Sequence, residues 1–180
     1  MTTVASTAPG IAPVLRRLYL VRFGFALVWA ALLFASASDL GPLSVTLLVL
    51  YPLFDVAAAL VDARSSRTTG LYVNIAISLL AAVGLAIACT SGIPAALRVW
   101  GAWAVLAGVV QLIVGVSRRR LGGQWPMILS GGISVLAGAS FIAQAGADGA
   151  SLRNLAGYAL LGGIFFLVSA LRLGRAAGGR

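Results

Sequence analysis

Gly70-Leu-Tyr-Val-Asn-Ile-Ala-Ile-Ser-Leu-Leu-Ala-Ala-Val-Gly-Leu-Ala-Ile-Ala-Cys-Thr-Ser91 contains no charged residue and few polar side chains. A hydrocarbon core about 30 Å thick needs about 20 such residues in a helix, so the stretch is one membrane span. Working outward, apolar stretches of the same kind lie near 18–38, 42–63, 94–117, 122–143 and 151–172. The chain is predicted to be an all-α membrane protein with six transmembrane helices in a single domain over 18–172. An N-terminal arm (1–17) of small residues is expected to be flexible and cytoplasmic, and 173–180 forms a cytoplasmic tail. The breaks between spans carry turn residues, such as Ser38-Asp-Leu-Gly-Pro42 and Thr90-Ser-Gly-Ile-Pro94.

The composition agrees. Of 180 residues, 61% are hydrophobic and 9% charged, where a soluble domain carries roughly 25% charged. His, Lys and Glu are absent, and the charge set is thirteen Arg and four Asp. Histidine general bases, Schiff-base lysines and P-loops all need residue types that this chain lacks. The one cysteine, Cys89, lies in an apolar run without a basic neighbour and reads as a small buried hydrophobe. We expect no enzyme, no metal site and no cofactor.

Orientation follows from the arginines, because short cytoplasmic loops carry the excess positive charge. Alternate connections place eleven Arg on one side and only Arg98 and Arg153 on the other. Both termini are therefore expected in the cytoplasm. The basic face is expected to meet anionic lipid headgroups and not nucleic acid, since no Arg-aromatic stripe on a soluble surface accompanies it. Arg16-Arg17-Leu18-Tyr19-Leu20 imitates a twin-arginine signal and Ala35-Ser36-Ala37 a cleavage site. The long apolar stretch with Trp29 argues for an uncleaved first span.

An offset of about 55 residues aligns Trp103-Ala-Val-Leu-Ala-Gly-Val-Val-Gln-Leu-Ile-Val114 with Tyr158-Ala-Leu-Leu-Gly-Gly-Ile-Phe-Phe-Leu-Val-Ser169. An offset of 56 aligns Ile77-Ser-Leu-Leu-Ala-Ala82 with Ile133-Ser-Val-Leu-Ala-Gly138, and sets Asp55 opposite Gln111. The expected unit is a two-helix hairpin used three times as parallel repeats, unlike the inverted repeats common in alternating-access carriers. Small residues form packing seams: Gly101, Gly108 and Gly115 in the fourth span, Ser130, Ser134 and Gly138 in the fifth, and Gly163 in the sixth. Such a seam serves packing within the chain or between copies in a homo-oligomer.

Span 2 carries the most informative chemistry, in Tyr51-Pro-Leu-Phe-Asp-Val-Ala-Ala-Ala-Leu-Val-Asp-Ala-Arg64. A carboxylate at a span centre costs about 2.5–3.5 kcal/mol on insertion scales, so it has a partner or a purpose. Tyr51, Asp55 and Asp62 share one helix face. Asp62 is expected at the interface, and Asp55 about 10 Å deeper. Arg22, Asn74 and Gln111 are expected at the depth of Asp55, and with Tyr51 they complete the candidate intramembrane polar site. Two uses are open for Asp55: accepting hydrogen bonds from Arg22 or Asn74 to set register, or protonation beside a water-filled cavity in a small transporter or proton-responsive channel. Asp55 and Asp62 lie too far apart along one helix to share a proton as an aspartyl protease pair does.

The stretch from Trp100-Gly-Ala-Trp103 to Arg118-Arg-Arg120, continued by Gly123-Gln-Trp-Pro-Met-Ile-Leu-Ser-Gly-Gly-Ile-Ser-Val-Leu-Ala-Gly138, resembles the HdeD-like family of small bacterial six-span membrane proteins. An aromatic-led helix, a basic turn and a Trp-led helix with paired small residues carry the resemblance. It covers spans 3 to 6 well, the first hairpin less well, and the Tyr51-Pro-Leu-Phe-Asp55 stretch departs from it. The resemblance implies a protein of the bacterial plasma (inner) membrane, in some members associated with acid or envelope stress. It supplies no catalytic residue.

Overall fold

A computed structural model of the chain describes residues 11–66, 68–121 and 124–178. Six helices account for nearly all of them: α1 (Ile11–Ser36), α2 (Pro42–Ser66), α3 (Thr69–Ala88), α4 (Ile93–Ser117), α5 (Trp125–Gln144) and α6 (Arg153–Gly178). Each is long and apolar enough to cross a membrane. Helices dominate because lipid offers no partner to a backbone N–H or C=O, and a helix satisfies these groups within itself.

The helices overrun the apolar spans at both ends of the bundle sequence. α1 begins at Ile11, so it takes in 11–17 of the expected arm, and α6 continues to Gly178. Helical hydrogen bonding does not stop where hydrocarbon gives way to headgroups. Residues 1–10 and 179–180, which include the rest of the arm, Arg180 and the tail's end, lie outside the described residues, as does Arg67 in the second loop.

The turns are closed by local chemistry. Between α1 and α2, Ser44 Oγ donates to the carbonyls of Ser36 at 2.8 Å and Asp39 at 3.1 Å, and the buried Trp29 indole N–H donates to the Leu47 carbonyl at 2.7 Å. Before α4 the chain turns at Gly92, whose φ of 95° few other residues adopt, and Pro94 then opens the helix. α2 continues through Pro52, which is fully buried.

Each helix packs on its sequence neighbours, and α6 closes on α1, so the six form a ring. The closest pairs are α4 with α5, α1 with α6, and α2 with α3. Close packing therefore runs between the expected hairpins, not within them. Glycine explains the tightest pair: a Cβ added at Gly101 would sit 2.5 Å from the Gly138 carbonyl oxygen, and one at Gly108 2.9 Å from that of Gly131. Gly115 meets Ile128 in the same seam, Ser134 abuts Gly108, and Gly163 faces Ala26 of α1 at 3.1 Å. All these seam contacts are made within the chain.

The ring is inside out relative to a soluble bundle. Leu80, Ile87, Leu136 and Ile113 are exposed on the outside, whereas Asp55, Asp62, Asn74, Ser78, Arg118, Gln124, Ser130 and Ser134 are buried. That arrangement is stable only with lipid around it. The chain is a multi-pass integral membrane protein.

The seam makes a graded prediction for thermal unfolding in detergent. Gly108→Ala and Gly138→Ala force backbone apart and should cost about 1–3 kcal/mol each. Gly157→Ala, where an added Cβ meets nothing within 4 Å, should leave stability unchanged or slightly raised.

Candidate functional site

α2 builds the site because it carries both buried carboxylates, separated by small residues such as Ala58 and Ala59 that let neighbouring helices approach. Asp55 reaches α1 and α3 together. Its Oδ1 is paired with the Arg22 guanidinium, and its Oδ2 accepts hydrogen bonds from Asn74 Nδ2 at 2.6 Å and Ser78 Oγ at 2.9 Å. Ser78 in turn accepts from the Trp103 indole N–H at 3.0 Å, which ties in α4. Arg22 also lies over the ring of Phe166 on α6, 4.7 Å from its centroid. One carboxylate thus gathers five other side chains from four helices.

Two turns along α2, Asp62 holds a second ion pair. Arg118, the residue that ends α4, donates through both terminal nitrogens to Asp62 Oδ1 and Oδ2 at 2.9 Å each, and reaches Thr68 Oγ1 at 3.1 Å. The two-pronged geometry matches the fork of a guanidinium to the two oxygens of a carboxylate. Asp62, expected near the interface, is 5% exposed, and its charge is paired inside the bundle. The partner was hidden in the basic run Arg118-Arg119-Arg120, which reads as a topology signal.

Between these pairs lies a cavity of about 100 Å³, several times what one water needs, lined by residues of all six helices. All five side chains of the expected site, Tyr51, Asp55, Arg22, Asn74 and Gln111, line it. They are not one cluster: Gln111 donates to the Met127 carbonyl at 3.0 Å, and among the described residues no hydrogen bond joins it to Asp55. Ser130 and Ser134, expected only as seam residues, also line the cavity, where Ser134 accepts from the Tyr158 hydroxyl at 2.9 Å. Asp62, Arg118, Ser78, Trp103, Gln124 and Tyr158 were absent from the expected site. Asn74 and Ser78, four residues apart on α3, were the available signal.

Tyr51, Phe54 and Trp103 in the cavity wall belong to a cluster of aromatic rings. Trp29 stacks on Trp100 at 5.3 Å, Phe25 stacks on Phe54 at 3.7 Å, and Tyr51 meets Trp29, Trp100 and Trp103 edge-on. The end towards the arginine-rich termini of α1, α2, α4 and α6 is floored by the Asp62–Arg118 pair, with Tyr19 beside it. Two contacts fall at the offsets of the expected repeat. Trp103 donates to Ser78 and Tyr158 to Ser134, with donors 55 and acceptors 56 residues apart.

Fold and site define the class: a six-helix integral membrane protein whose central cavity is lined by two Asp–Arg pairs among mainly apolar groups. Comparison with family models, with curated proteins and with solved structures finds no match to this chain.

The two-pronged pair can be weighed by a double-mutant cycle. Asp62→Ala or Arg118→Ala alone leaves a buried charge uncompensated and should cost about 3–5 kcal/mol of unfolding free energy. The double variant should lose clearly less than the sum; additive losses would show that the pair is not coupled.

Proposed function

We propose that this chain is a non-enzymatic protein of the bacterial plasma membrane that admits a small solute or a proton to its central cavity, with Asp55 as the protonatable group. The observation that carries this reading is the cavity itself, lined by all six helices and by two buried Asp–Arg pairs in a chain whose outer face is apolar. A bundle that only had to hold its shape would do as well with apolar side chains there, since well-packed hydrophobic replacements of buried ion pairs are often neutral or stabilising. Ionisable groups retained inside a membrane bundle commonly line solute or proton pathways.

In this reading both termini are cytoplasmic, the arginine-rich face meets anionic lipid, and the cavity floor at Asp62–Arg118 faces the cytoplasm. Three parallel hairpins make up the ring. Supporting this, Arg22, Ser78 and Ser134 fall at steps of 56 residues on α1, α3 and α5, and Asp55, Gln111 and Phe166 at steps of 56 and 55 on α2, α4 and α6. Both charged members of these layers belong to the first hairpin, so the chemistry would have been concentrated in one copy. The resemblance to the HdeD-like family adds acid or envelope stress as the setting in which a proton-responsive cavity is useful. Self-association of the bundle, as a homo-oligomer, would have to use the outer face, because the glycine seams are occupied within the chain.

A second reading, that Asp55 only fixes helix register, is favoured by its full set of partners: Arg22, Asn74 and Ser78. One variant separates the two. If the cavity functions, Asp55→Asn folds in reconstituted vesicles and loses proton flux by tenfold or more. If Asp55 is structural, the same change lowers the unfolding temperature and leaves the flux of the folded fraction unaltered.

A further inference from the structure

Four ionised side chains line the cavity, and they cancel as Arg22 with Asp55 and Arg118 with Asp62. The pairs differ in what they leave unused. Arg118 is engaged on both Asp62 oxygens and on Thr68. Arg22 meets Asp55 through one terminal nitrogen and one oxygen, and its flat face rests on Phe166. A guanidinium has five N–H donors, so Arg22 retains donor capacity at the cavity. Tyr51 lines the same space, and among the described residues its hydroxyl has no hydrogen-bond partner.

The two oxygens of Asp55 are also unequal. Oδ2 accepts two hydrogen bonds, from Asn74 and Ser78, while Oδ1 faces Arg22. A proton arriving at the carboxylate would therefore settle on Oδ1 and leave Oδ2 as the carbonyl oxygen, with both hydrogen bonds kept. Protonation removes the counter-charge of Arg22 and little else. A net charge inside the bilayer is costly, so the arrangement that restores neutrality at least expense is an anion at Arg22 in place of the carboxylate.

We propose that the cavity takes up one small monovalent anion together with one proton, the anion held by the Arg22 guanidinium and the Tyr51 hydroxyl and the proton by Asp55 Oδ1. The proposal rests on the cavity reading given under Proposed function and names its substrate class. One proton and one negative charge enter and leave together, so the cavity stays neutral throughout. Its size admits a halide or an anion of a few heavy atoms. Arg16, Arg17, Arg64, Arg119, Arg120 and Arg172 crowd the end of the bundle where Arg118 forms the floor, and their field raises the local concentration of anions. Around Asp55 the titratable or charged groups are Arg22 and Tyr19 on α1, Tyr51 and Asp62 on α2, Arg118 at the end of α4 and Tyr158 on α6. α3 and α5 contribute only neutral polar side chains, Asn74, Ser78, Gln124, Ser130 and Ser134. With both Asp62 oxygens held by Arg118, Asp55 Oδ1 is the carboxylate oxygen in this group that a proton reaches without displacing a two-pronged pair.

The test uses the full chain in vesicles with an internal pH dye, the membrane voltage clamped by potassium and valinomycin, and a chloride gradient against gluconate. Chloride should drive lumen acidification one proton per chloride, independent of voltage and at least tenfold faster at external pH 5.5 than at 7.5. Arg22→Gln should abolish both fluxes. Asp55→Asn, a permanently neutral side chain, should pass chloride without protons and become voltage-dependent. Asp55-dependent proton flux that ignores chloride and Arg22 would overturn the anion proposal while leaving the cavity reading intact; no Asp55-dependent proton flux at all would overturn both. Should Asp55→Asn not fold, the unvaried protein decides: chloride must raise its Tm more at pH 5.5 than at 7.5, relative to gluconate, and equal shifts sink the idea.

Discussion

The Asp55 carboxylate is the constraint around which the bundle is arranged. Within a hydrocarbon layer an ionised carboxylate needs both an opposite charge and hydrogen-bond donors, and α2 cannot supply either from its own backbone. Arg22 brings α1 to it, Asn74 and Ser78 bring α3, and Trp103 brings α4 through Ser78. Phe166 then positions α6 beneath the Arg22 guanidinium. Shifting any one of these helices by a turn, about 5.4 Å, would strand a polar group in an apolar surrounding. The charge pair therefore sets helix register in a medium where apolar contact alone is indifferent to it.

The fifth helix is held by a different force. Glycines at 101, 108, 131 and 138 let the α4 and α5 backbones touch, and dispersion acts over that contact. Gln111 adds a hydrogen bond to the Met127 carbonyl across the same interface. A ring built from one polar half and one closely packed glycine half leaves its centre incompletely filled, and the polar half supplies that centre with charge and hydroxyl groups. A cluster of aromatic rings from Phe25 to Trp103 backs the cavity wall at Tyr51, Phe54 and Trp103.

Several features were legible from residue order. The spans follow from runs such as 70–91, and the glycine seam follows from spacing. The face shared by Tyr51, Asp55 and Asp62 follows from the helical period. That Asp55 would meet Arg22 or Asn74 was legible as well, and it meets both. Other features were not. Arg118 stands in a run of three arginines whose members look alike in sequence, yet it alone turns inward to hold Asp62, while Arg119 bonds the nearby Val116 carbonyl. Ser134 looks like a packing residue because it is small, and only its nearness to Tyr158 makes it part of the cavity wall.

Sequence alone determined that this chain lives in a bilayer as six helices and that His, Lys and Glu take no part in its chemistry, because composition and the length of apolar runs are local properties. The tertiary structure decided that two carboxylates and two arginines would form separate pairs around a common space. Which arginine meets which aspartate depends on how six helices close into a ring, and a ring brings together residues such as Asp62 and Arg118, 56 positions apart, that no local periodicity relates.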